Sequence, residues 1–574
     1  MNNKKIVKLL KNTIALMELH DENEFKIKSY NNAIFNLERF QSALEEQSKE
    51  ELEKINGVGK SIATAIDQIN ATGTFDYYEQ LYLKTPEGLH ELLGLKGIGA
   101  KKIKQLWQEL DITSSKALLE AIEKGELKAL KGFGGKTQEN IKAALIRKRE
   151  NEGKLLFSEA EPIAMALIDR LKKANENLQI EVSGALRRKL EVIEELIFVV
   201  ASDPDKAIDW QSLESPSNPL GPVEFDMKIS GPRLKRGLMN KTPVAFHLCS
   251  KVDFVKTLFL TTGSEEHINY ETEDGSTLKS LIYNEPVNDE KEIYSKANLP
   301  FIPVELREEH LNWSAIKENG IPDLIQMNDL KGILHNHSTY SDGLHSLEEM
   351  ALECQRLGYE YLGITDHSKS SFFYANGLYE NRVKDQQAEI DALNARYSDF
   401  KIFKGIECDI LPDGSLDYDN NTLASFDFIV CSIHSAMSMD KEKATARLVK
   451  AIENPFTTIL GHMTGRILLR RDGYPVDHKV IIEACAQHNV VIEINANPHR
   501  LDIDWRWINY ALDRGVMLSI NPDAHSIDGF ADMYYGLQVG RKGGLTKSNN
   551  LNSMTLKEID DYFATRKAKA LSLA

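Results

Sequence analysis

Residues 334–343 read LHNHSTYSDG, a stretch that sets two histidines, His335 and His337, at the end of a short apolar run and a carboxylate, Asp342, close behind them. Imidazole nitrogens and carboxylate oxygens together are the ligands with which proteins hold Zn, Mn or Fe. The stretch therefore predicts a metal site at the end of a strand.

The same arrangement recurs through residues 360–526. In five more segments an apolar run ends near a histidine or a carboxylate: GITDHS (363–368), KGIECDI (404–410), CSIHSA (431–436), GHMTGR (461–466) and NPDAHS (521–526). Helical stretches separate the runs, and seven β/α units predict a parallel barrel with its chemistry at the carboxyl ends of the strands. Clusters of two or three such ions hydrolyse phosphate esters. The candidate metal ligands are His335, His337, Asp342, His367, Glu407, His434, His462, Asp523 and His525.

Three residues beside these ligands are candidates for supporting roles. Arg466 and Arg500 follow strands and have the planar guanidinium that clamps a phosphate through two hydrogen bonds. Surface ion pairs are the alternative for both arginines. Asp366 precedes His367 and is predicted to orient an imidazole. Because ligand histidines must be neutral, activity is expected to fail at acid pH.

Residues 1–150 contain a different pattern, a Gly-x-Gly turn that opens a helix. It occurs in INGVGKSIATAI (55–66), LKGIGAKKIKQL (95–106) and LKGFGGKTQENI (130–141). The glycines permit a tight turn, and they leave backbone N–H groups at the start of the second helix, where a phosphate binds. The three copies resemble the helix-hairpin-helix motif, which holds the DNA backbone without reading its sequence. The predicted DNA contacts are Gly57, Gly59, Lys60, Gly97, Gly99, Lys101, Lys102, Gly132, Gly134 and Lys136.

The formal net charge of −16 is unevenly distributed. Residues 1–150 contain 24 Lys and Arg against 22 Asp and Glu, and the remainder contains 46 against 64. Phosphate binding is therefore expected from local backbone and metal sites rather than from a basic field. No apolar stretch reaches the roughly 18 residues of a membrane helix, and five cysteines without a CxxC pair fit a reduced, cytoplasmic protein. A monomer without membrane partners is expected.

Residues 325–574 resemble the polymerase-and-histidinol-phosphatase (PHP) domain, a distorted seven-stranded barrel with a trinuclear metal centre. The candidate ligands fill all of that family's ligand positions, so the resemblance implies three divalent ions, with Mn, Zn and Fe all compatible. It implies a first ion near His335, His337, Glu407 and Asp523, a second near Glu407, His434 and His462, and a third near Asp342, His367 and His525.

Residues 1–315 resemble the family X DNA polymerases. The segment at 18–40 is similar to their N-terminal domain, and VSGALRRKLEVIEELIFVVAS (182–202) is similar to palm strands that present Gly-Ser, Arg-Arg and Asp-x-Asp. The family's lyase lysine corresponds to Ala65, which cannot form a Schiff base. The positions of its palm serine and three aspartates are occupied by Ala185, Glu195, Ile197 and Ala245.

These changes remove the expected polymerase chemistry. Two Mg²⁺ ions need several oxygen ligands in near-octahedral geometry, and one carboxylate does not supply them. We therefore expect a retained fold without nucleotidyl transfer. Arg187 and Arg188 keep the Arg-Arg pattern; contact with nucleic acid and ion pairing with a nearby glutamate are both open.

Over essentially its full length the chain resembles bacterial family X DNA polymerases with a C-terminal PHP domain. The expected fold is multidomain α+β: a helical domain with the first helix-hairpin-helix (1–85), a fingers-like helical domain with further hairpins (86–150), a degenerate palm and thumb (151–320) and a distorted (β/α)7 PHP barrel (325–574).

The expected function is that of a DNA-binding, metal-dependent phosphodiesterase in base excision repair. It would act as a 3′–5′ exonuclease, 3′-end processor or abasic-site endonuclease on gapped, nicked or 3′-recessed DNA. Two alternatives remain: a small-molecule phosphatase of the histidinol-phosphatase type, and a non-catalytic DNA-binding scaffold.

Overall fold

The computed structural model describes residues 3–38, 40, 42–95, 97–201, 207–283, 287–309 and 311–573. The chain divides into two compact units, Met1–Asn151 and Glu152–Ala574. Among the described residues, no helix combines the length and the apolar character needed to cross a membrane.

In the first unit, every regular element of the described residues is a helix. Two apolar cores hold it together, one that includes Leu10 and Ile66 and one that includes Ile103 and Phe133. The helices are α1 (Asn3–Leu19), α2 (Glu24–Leu37), α3 (Lys49–Leu52), α4 (Lys60–Thr72), α5 (Asp76–Lys84), α6 (Glu87–Leu93), α7 (Ala100–Leu110), α8 (Ser115–Lys124) and α9 (Gly135–Glu150), with 3-10 turns at Leu44–Glu46 and Glu126–Ala129.

Each predicted hairpin turns at its first glycine and starts a helix at its second. The first glycines have φ of +80°, +90° and +88° at Gly57, Gly97 and Gly132, a conformation that residues with a Cβ atom rarely adopt. The second glycines are the N-caps of α4, α7 and α9, namely Gly59, Gly99 and Gly134. The predicted lysines all lie in the first turns of these helices: Lys60, Lys101, Lys102 and Lys136.

The second unit opens with an α+β region that we call the palm. Its strands are β1 (Leu155–Leu156), β2 (Gln179–Ser183), β3 (Val192–Ile193), β4 (Leu196–Ala201), β5 (Glu224–Phe225), β6 (Leu234–Met239) and β7 (Thr242–Cys249). Its helices are α10 (Phe157–Ala174), α11 (Gly184–Arg187), α12 (Gln211–Glu214), α13 (Phe254–Thr262), α14 (Glu265–Ile268), α15 (Leu278–Leu281), α16 (Glu290–Lys296) and α17 (Trp313–Asn319), with a 3-10 turn at Val304–Leu306. Five strands form a mixed sheet in the order β2-β4-β7-β6-β5, in which only β4 and β7 are parallel among the described pairs.

The rest of the second unit is the barrel. Its strands are β8 (Gly332–Ile333), β9 (Tyr361–Ile364), β10 (Lys401–Asp409), β11 (Phe428–Ser432), β12 (Ile459–Leu460), β13 (Val491–Asn495) and β14 (Leu518–Asn521). All neighbours are parallel and follow chain order. A parallel bridge between Asn336 and Ala524 connects the segments after β8 and β14, so the sheet is nearly closed. The prediction of a (β/α)7 PHP barrel within a multidomain α+β fold is confirmed.

Helices surround this sheet on its outside. They are α18 (Leu347–Arg356), α19 (Phe372–Ala375), α20 (Glu380–Asn394), α21 (Asn420–Leu423), α22 (Lys441–Ile452), α23 (His478–His488), α24 (Ile508–Asp513), α25 (Met533–Lys542) and α26 (Leu556–Leu573), with 3-10 turns at Met327–Asp329, Lys369–Ser371, Trp505–Trp507, Ile527–Asp532, Lys547–Asn549 and Leu551–Ser553.

One end of the barrel is closed by α26. Phe563 of this helix stacks on Phe428 with ring centroids 4.8 Å apart and meets Phe403 edge-on at 5.2 Å. Both partners lie near the starts of their strands, and their apolar cluster includes Tyr361 and Val491 at two further strand starts. The carboxyl ends of the strands, at the opposite end, are therefore where polar groups can gather.

Hydrogen bonds and ion pairs connect the palm to the barrel. Glu191 accepts hydrogen bonds from Trp505 Nε1 (3.1 Å) and Arg506 Nη1 (2.9 Å). Lys542, 3% exposed, donates to the Arg188 carbonyl and pairs with Glu308. Burial lowers the pKa of Lys542 to about 8, against the opposing effect of the Glu308 charge.

The two retained palm arginines form ion pairs within the unit. Arg187 binds both carboxylate oxygens of Glu290, at 2.9 and 3.0 Å, and Arg188 Nε donates to Glu308 at 2.9 Å. Burial opposes ionisation of Glu290, yet hydrogen bonds from Arg187 and Arg307 lower its pKa to about 2. The ion pairing with nearby glutamates that the sequence left open for these arginines is present.

Candidate metal centre

All nine candidate ligands lie at the carboxyl ends of barrel strands or in the loops that follow them. The strands are buried and apolar, so each presents its polar end at a fixed place. Two ligands, His335 (φ +60°) and Asp523 (φ +52°), have left-handed backbone conformations. Such conformations are uncommon for these residue types and concentrate at functional sites.

Glu407 lies at the centre of the cluster and is 1% exposed. Its carboxylate oxygens approach the ring nitrogens of five histidines: His335 (3.4 Å), His434 (3.2 Å), His462 (3.0 Å), His337 (3.7 Å) and His367 (2.9 Å). If metal ions bind here, Glu407 would be placed to contribute ligand atoms to more than one of them.

Two other carboxylates complete the cluster. Asp342 Oδ1 lies 3.9 Å from His337 Nδ1, 3.7 Å from His367 Nε2 and 3.5 Å from His525 Nε2. Asp523 Oδ1 lies 3.1 Å from His337 Nε2 and 3.5 Å from His335 Nε2.

The candidate ligands form three groups, and within each group the ligand atoms lie no more than 4.8 Å apart. The groups are His337, Asp342, His367 and His525; His335, His337 and Glu407; and His367, Glu407 and His434. The structure therefore brings Asp342, His367 and His525 together as the resemblance implies. It also adds His337 to that group.

The donor atoms fit divalent cations. Five buried polar atoms of the candidate ligands make no hydrogen bond among the described residues: His335 Nε2, His337 Nδ1, His367 Nδ1, His462 Nδ1 and Glu407 Oε2. Two of them, His367 Nδ1 and Glu407 Oε2, lie 2.9 Å apart without hydrogen-bond geometry. Leaving buried polar atoms unpaired costs roughly 1–3 kcal/mol each. A divalent ion satisfies imidazole and carboxylate lone pairs together, so this cluster is suited to hold such ions.

Charges within the cluster alter the protonation of its histidines. Burial lowers the pKa of His434, but the negative charge of Glu407 and the hydrogen bond that His434 donates to Asp409 outweigh it and raise that pKa to about 10. Burial likewise opposes protonation of His525, whose pKa is raised to about 9 by Asp342 and Asp523. Without metal, both rings are therefore in the positively charged imidazolium form at neutral pH.

Metal binding should therefore release protons and tighten as the pH rises from 6 to 9. A histidine binds metal only when its ligating nitrogen is unprotonated, and His434 and His525 must each lose a proton first. Calorimetric titrations with Mn²⁺ in buffers of different ionisation enthalpy would measure the number of protons released on binding. An affinity that stays constant over this pH range would show that these histidines are not ligands.

Two carboxylates that sequence reasoning missed orient the ligands. Glu493, in the middle of β13, accepts from His335 Nδ1 at 2.5 Å and from the His462 backbone N–H at 2.7 Å. Asp409 Oδ1 lies 2.9 Å from His434 Nδ1. Each leaves the other ring nitrogen of its histidine facing Glu407, as outer partners of metal ligands do.

The orienting role predicted for Asp366 is wrong. Its carboxylate accepts from the backbone and hydroxyl groups of Ser338 and Ser341 and from Gln386, and so it holds the loop between His337 and Asp342. The buried serines that follow the His-x-His stretch are the signal for this role.

Glu493→Gln should weaken Mn²⁺ binding about tenfold to a hundredfold, the usual range for loss of an outer partner of a metal ligand. Glutamine keeps an acceptor for His335 but removes the charge that makes the imidazole a stronger ligand. Glu442→Gln, on the exposed side of α22, is the matched control. Equal affinity in both variants, measured by equilibrium dialysis, would exclude Glu493 from the centre.

The two candidate phosphate-binding arginines differ in their surroundings. Arg466 is engaged by Asp504 at 2.6 Å and by the carbonyls of Arg500 and Leu501. Arg500 Nε lies 3.6 Å from Asp523 Oδ2, and the buried Arg500 Nη1 has no hydrogen-bond partner among the described residues. Arg500 thus has donor capacity beside a candidate metal ligand, whereas Arg466 holds the Arg500 loop.

Of the four palm positions predicted to be altered, two lie on the palm sheet and two lie in segments that precede β4. Ile197 and Ala245 are direct neighbours on the parallel strands β4 and β7. Glu195, just before β4, faces Arg236 Nε at 3.8 Å. Ala185 lies in the single turn α11, whose first residue, Gly184, packs on Ile197 so closely that an added Cβ would come within 2.8 Å of its side chain. The described residues at these positions thus form an apolar contact, between Gly184 and Ile197, and an ion pair between Glu195 and Arg236.

Three family models match this chain. A helix-hairpin-helix domain matches residues 1–75, a SAM-like helix-hairpin-helix tandem matches residues 89–146, and the PHP domain matches residues 334–497. The first two cover the predicted glycine turns, and the third covers six of the seven strand-end segments of the barrel.

Curated proteins are similar over the whole chain and over the barrel alone. The "DNA polymerase/3'-5' exonuclease PolX" of Bacillus subtilis (strain 168) is 35% identical over 98% of this chain and 99% of its own length. A protein named "Probable phosphatase" from Thermoanaerobacter sp. (strain X514) is 26% identical over 41% of this chain and 95% of its own length. A "Probable phosphatase" of Clostridium botulinum (strain Langeland) is 27% identical over 28% of this chain.

Proposed function

This chain belongs to the bacterial family X DNA polymerases with a C-terminal PHP domain, and from that membership we propose that it is a DNA-binding, metal-dependent phosphodiesterase that has lost nucleotidyl transfer. It trims DNA 3′ ends or cleaves at abasic sites in base excision repair. The hydrolytic centre is the cluster around Glu407, and the helix-hairpin-helix turns hold the DNA backbone.

One observation carries the hydrolase proposal: the nine candidate ligands gather at the carboxyl ends of the barrel strands, and five of their buried atoms make no hydrogen bond among the described residues. Divalent ions bound there would polarise the phosphorus–oxygen bonds and lower the pKa of an attacking water. The protein's own contribution is to fix the ligand geometry through Glu493 and Asp409.

Arg500 is the residue suited to receive the substrate phosphate. Its partnerless Nη1 offers a charge-assisted hydrogen bond to a non-bridging oxygen. Its Nε stays close to Asp523, so the guanidinium is held beside the ligand cluster before substrate arrives. Arg466 supports it by binding the backbone carbonyls of Arg500 and Leu501.

The hairpins favour DNA over a small molecule as the substrate. Three N-caps without a side chain leave the first N–H groups of α4, α7 and α9 for an anion, with lysines in the same turns. A phosphatase for small molecules has no use for three such sites. The 3′–5′ polarity in the name of the Bacillus relative supports a 3′ end as the site of attack.

The test is digestion of a 5′-labelled gapped duplex with Mn²⁺ by the wild type and by the His335→Ala/His337→Ala variant. A ladder of shortened products that the variant fails to make is the expected result. No cleavage by either protein, with DNA still bound, would instead support a non-catalytic scaffold.

The small-molecule phosphatase is the second candidate, because the barrel is similar to proteins named as phosphatases over nearly their whole length. Turnover of histidinol phosphate that exceeds turnover of a 3′-recessed duplex would favour it. We expect the opposite order, since the hairpin unit concentrates DNA on the protein and does nothing for a small phosphate ester.

Nucleotide addition should be undetectable. Glu195 is the one carboxylate at the altered palm positions, and it faces Arg236 rather than a second acid. Incubation with a gapped primer, all four deoxynucleoside triphosphates and either Mg²⁺ or Mn²⁺ should leave the primer unextended, in a His335→Ala/His337→Ala background that prevents trimming. Extension that disappears in a Glu195→Ala variant would overturn the proposed loss of polymerase activity.

A further inference from the structure

The segment directly after His367 exposes a cluster of aromatic side chains beside the metal centre. Residues 368–379, which we call the aromatic rim, include four of them with exposed fractions of 38% (Phe372), 94% (Phe373), 58% (Tyr374) and 44% (Tyr379). Single exposed aromatic residues are unremarkable, but a contiguous cluster marks a binding surface.

The aromatic rim is held rigidly against the loops that carry the ligands. Leu378 N–H donates to the His367 carbonyl at 2.8 Å. Asn376 Nδ2 donates to the carbonyls of Tyr340 and Ser341, both at 3.1 Å, in the loop between His337 and Asp342. At Gly377 an added Cβ would lie 1.9 Å from the Ser368 carbonyl, so the close approach of the two ends of the rim requires glycine.

Tyr374 is tied to the centre through its hydroxyl. The Tyr374 and Ser371 hydroxyls lie 2.5 Å apart, and Ser371 in turn donates to Asp409, the carboxylate that orients His434. Burial, followed by the negative charges of Asp409 and Glu407, raises the pKa of the Tyr374 hydroxyl. The ring therefore stands at the edge of the ligand cluster.

The packing of the rings also points to a preformed platform. Phe372 meets Phe373 edge-on with ring centroids 5.6 Å apart and lies 5.3 Å from Tyr379. Phe373, the most exposed of the four, keeps nearly all of its surface open. An aromatic ring with an open face can stack on a planar ligand such as a nucleobase.

Resting on the function proposed above, we propose that Phe373 and Tyr374 form a stacking platform for an unpaired nucleobase at the strand end being cut. Residues 151–574 contain 46 basic against 64 acidic side chains, so this unit offers DNA no general electrostatic attraction. Base stacking supplies binding that does not depend on such a field.

The platform makes the enzyme selective for strand ends that are not paired. A base inside a duplex is already stacked and paired, and it must give up both to reach the protein ring. For a mismatched or overhanging terminal nucleotide, the free energy needed for unpairing and unstacking is small. We expect faster removal of an unpaired 3′-terminal nucleotide than of a paired one.

The test compares three 5′-labelled duplexes that differ only in the 3′-terminal residue: paired, mismatched, or a tetrahydrofuran residue that has no base. Phe373→Ala should lower kcat/KM on the mismatched end roughly tenfold, the scale of one lost base–aromatic stack. It should leave the rate on the tetrahydrofuran end unchanged. Phe373→Trp should retain the wild-type preference. Tyr283→Ala, a 75% exposed aromatic residue of the palm, is the control that should have no effect.

A second readout detects stacking without cleavage. A 3′-terminal 2-aminopurine, attached through a methylphosphonate that resists hydrolysis, should lose fluorescence on binding to the wild type and to Phe373→Trp but not to Phe373→Ala. Equal loss of activity on base-bearing and base-free ends, or equal quenching by all variants, would overturn the platform while leaving the phosphodiesterase standing. Failure of the wild type to cut any of the three duplexes would overturn both.

Discussion

Glu407→Gln should reduce DNA cleavage by more than about a hundredfold and should lower the amount of bound metal. Loss of an outer partner of a metal ligand already costs roughly tenfold to a hundredfold, and Glu407 contacts five candidate ligands directly. Glutamine matches glutamate in volume, so packing in β10 is kept. The removed charge is the one around which the histidines gather.

The measurement is digestion of the gapped duplex together with metal content after dialysis. Glu442→Gln, exposed on α22, should behave as the wild type in both assays. DNA affinity should stay the same in Glu407→Gln, because the hairpins lie in the other unit. A Glu407→Gln protein that cleaves at the wild-type rate would place the chemistry elsewhere in the chain.

The barrel and its candidate ligands were predictable because each ligand follows an apolar run, and parallel strands gather their carboxyl ends on one side. The same reasoning failed for Glu493 and Asp409. Glu493 stands inside the apolar run VVIEINA, where a charged side chain needs a buried partner. The sequence therefore indicates that Glu493 has a buried partner, but it does not say which residue that is. The partner is His335, 158 residues earlier in the chain, and the order of the barrel strands brings the two together.

The arginines show a second limit of sequence reasoning. Arg466 and Arg500 both follow strands and look equivalent along the chain. In the fold, Asp504 forms an ion pair with Arg466. Asp523 lies near Nε of Arg500, and Nη1 of Arg500 makes no hydrogen bond among the described residues. Long side chains reach any of several partners, and only the folded loops decide which one is nearest.

The palm keeps its parallel strand pair at the positions where the sequence predicts that carboxylates are replaced. Ile197 and Ala245 pair in register on β4 and β7. The palm also supplies Glu191 and Glu308, which hold Arg506 and Lys542 of the barrel. Packing against the barrel, rather than nucleotide binding, is a sufficient reason for these residues to remain.

Gly59→Val/Gly99→Val should weaken binding to a gapped duplex at least about tenfold while the protein stays folded. Both glycines have ordinary negative φ, −86° and −88°, and an added Cβ would meet no atom within 4 Å. The backbone therefore tolerates a side chain there, in contrast to Gly97 with φ of +90°. A valine at these N-caps would cover the N–H groups that a phosphate approaches.

Hydrogen bonds to charged groups are worth roughly 1.5–3 kcal/mol each, and about 1.4 kcal/mol corresponds to a tenfold change in Kd. The free energy of DNA binding lost at two hairpins is thus larger than the free energy of folding lost through the two weaker N-caps, about 1 kcal/mol each. Gly231→Val, another glycine with open space around its Cβ position, is the control outside the hairpins. Fluorescence anisotropy with labelled gapped DNA decides the matter: undiminished binding by the folded double variant would mean that Gly59 and Gly99 do not present N–H groups to the DNA backbone.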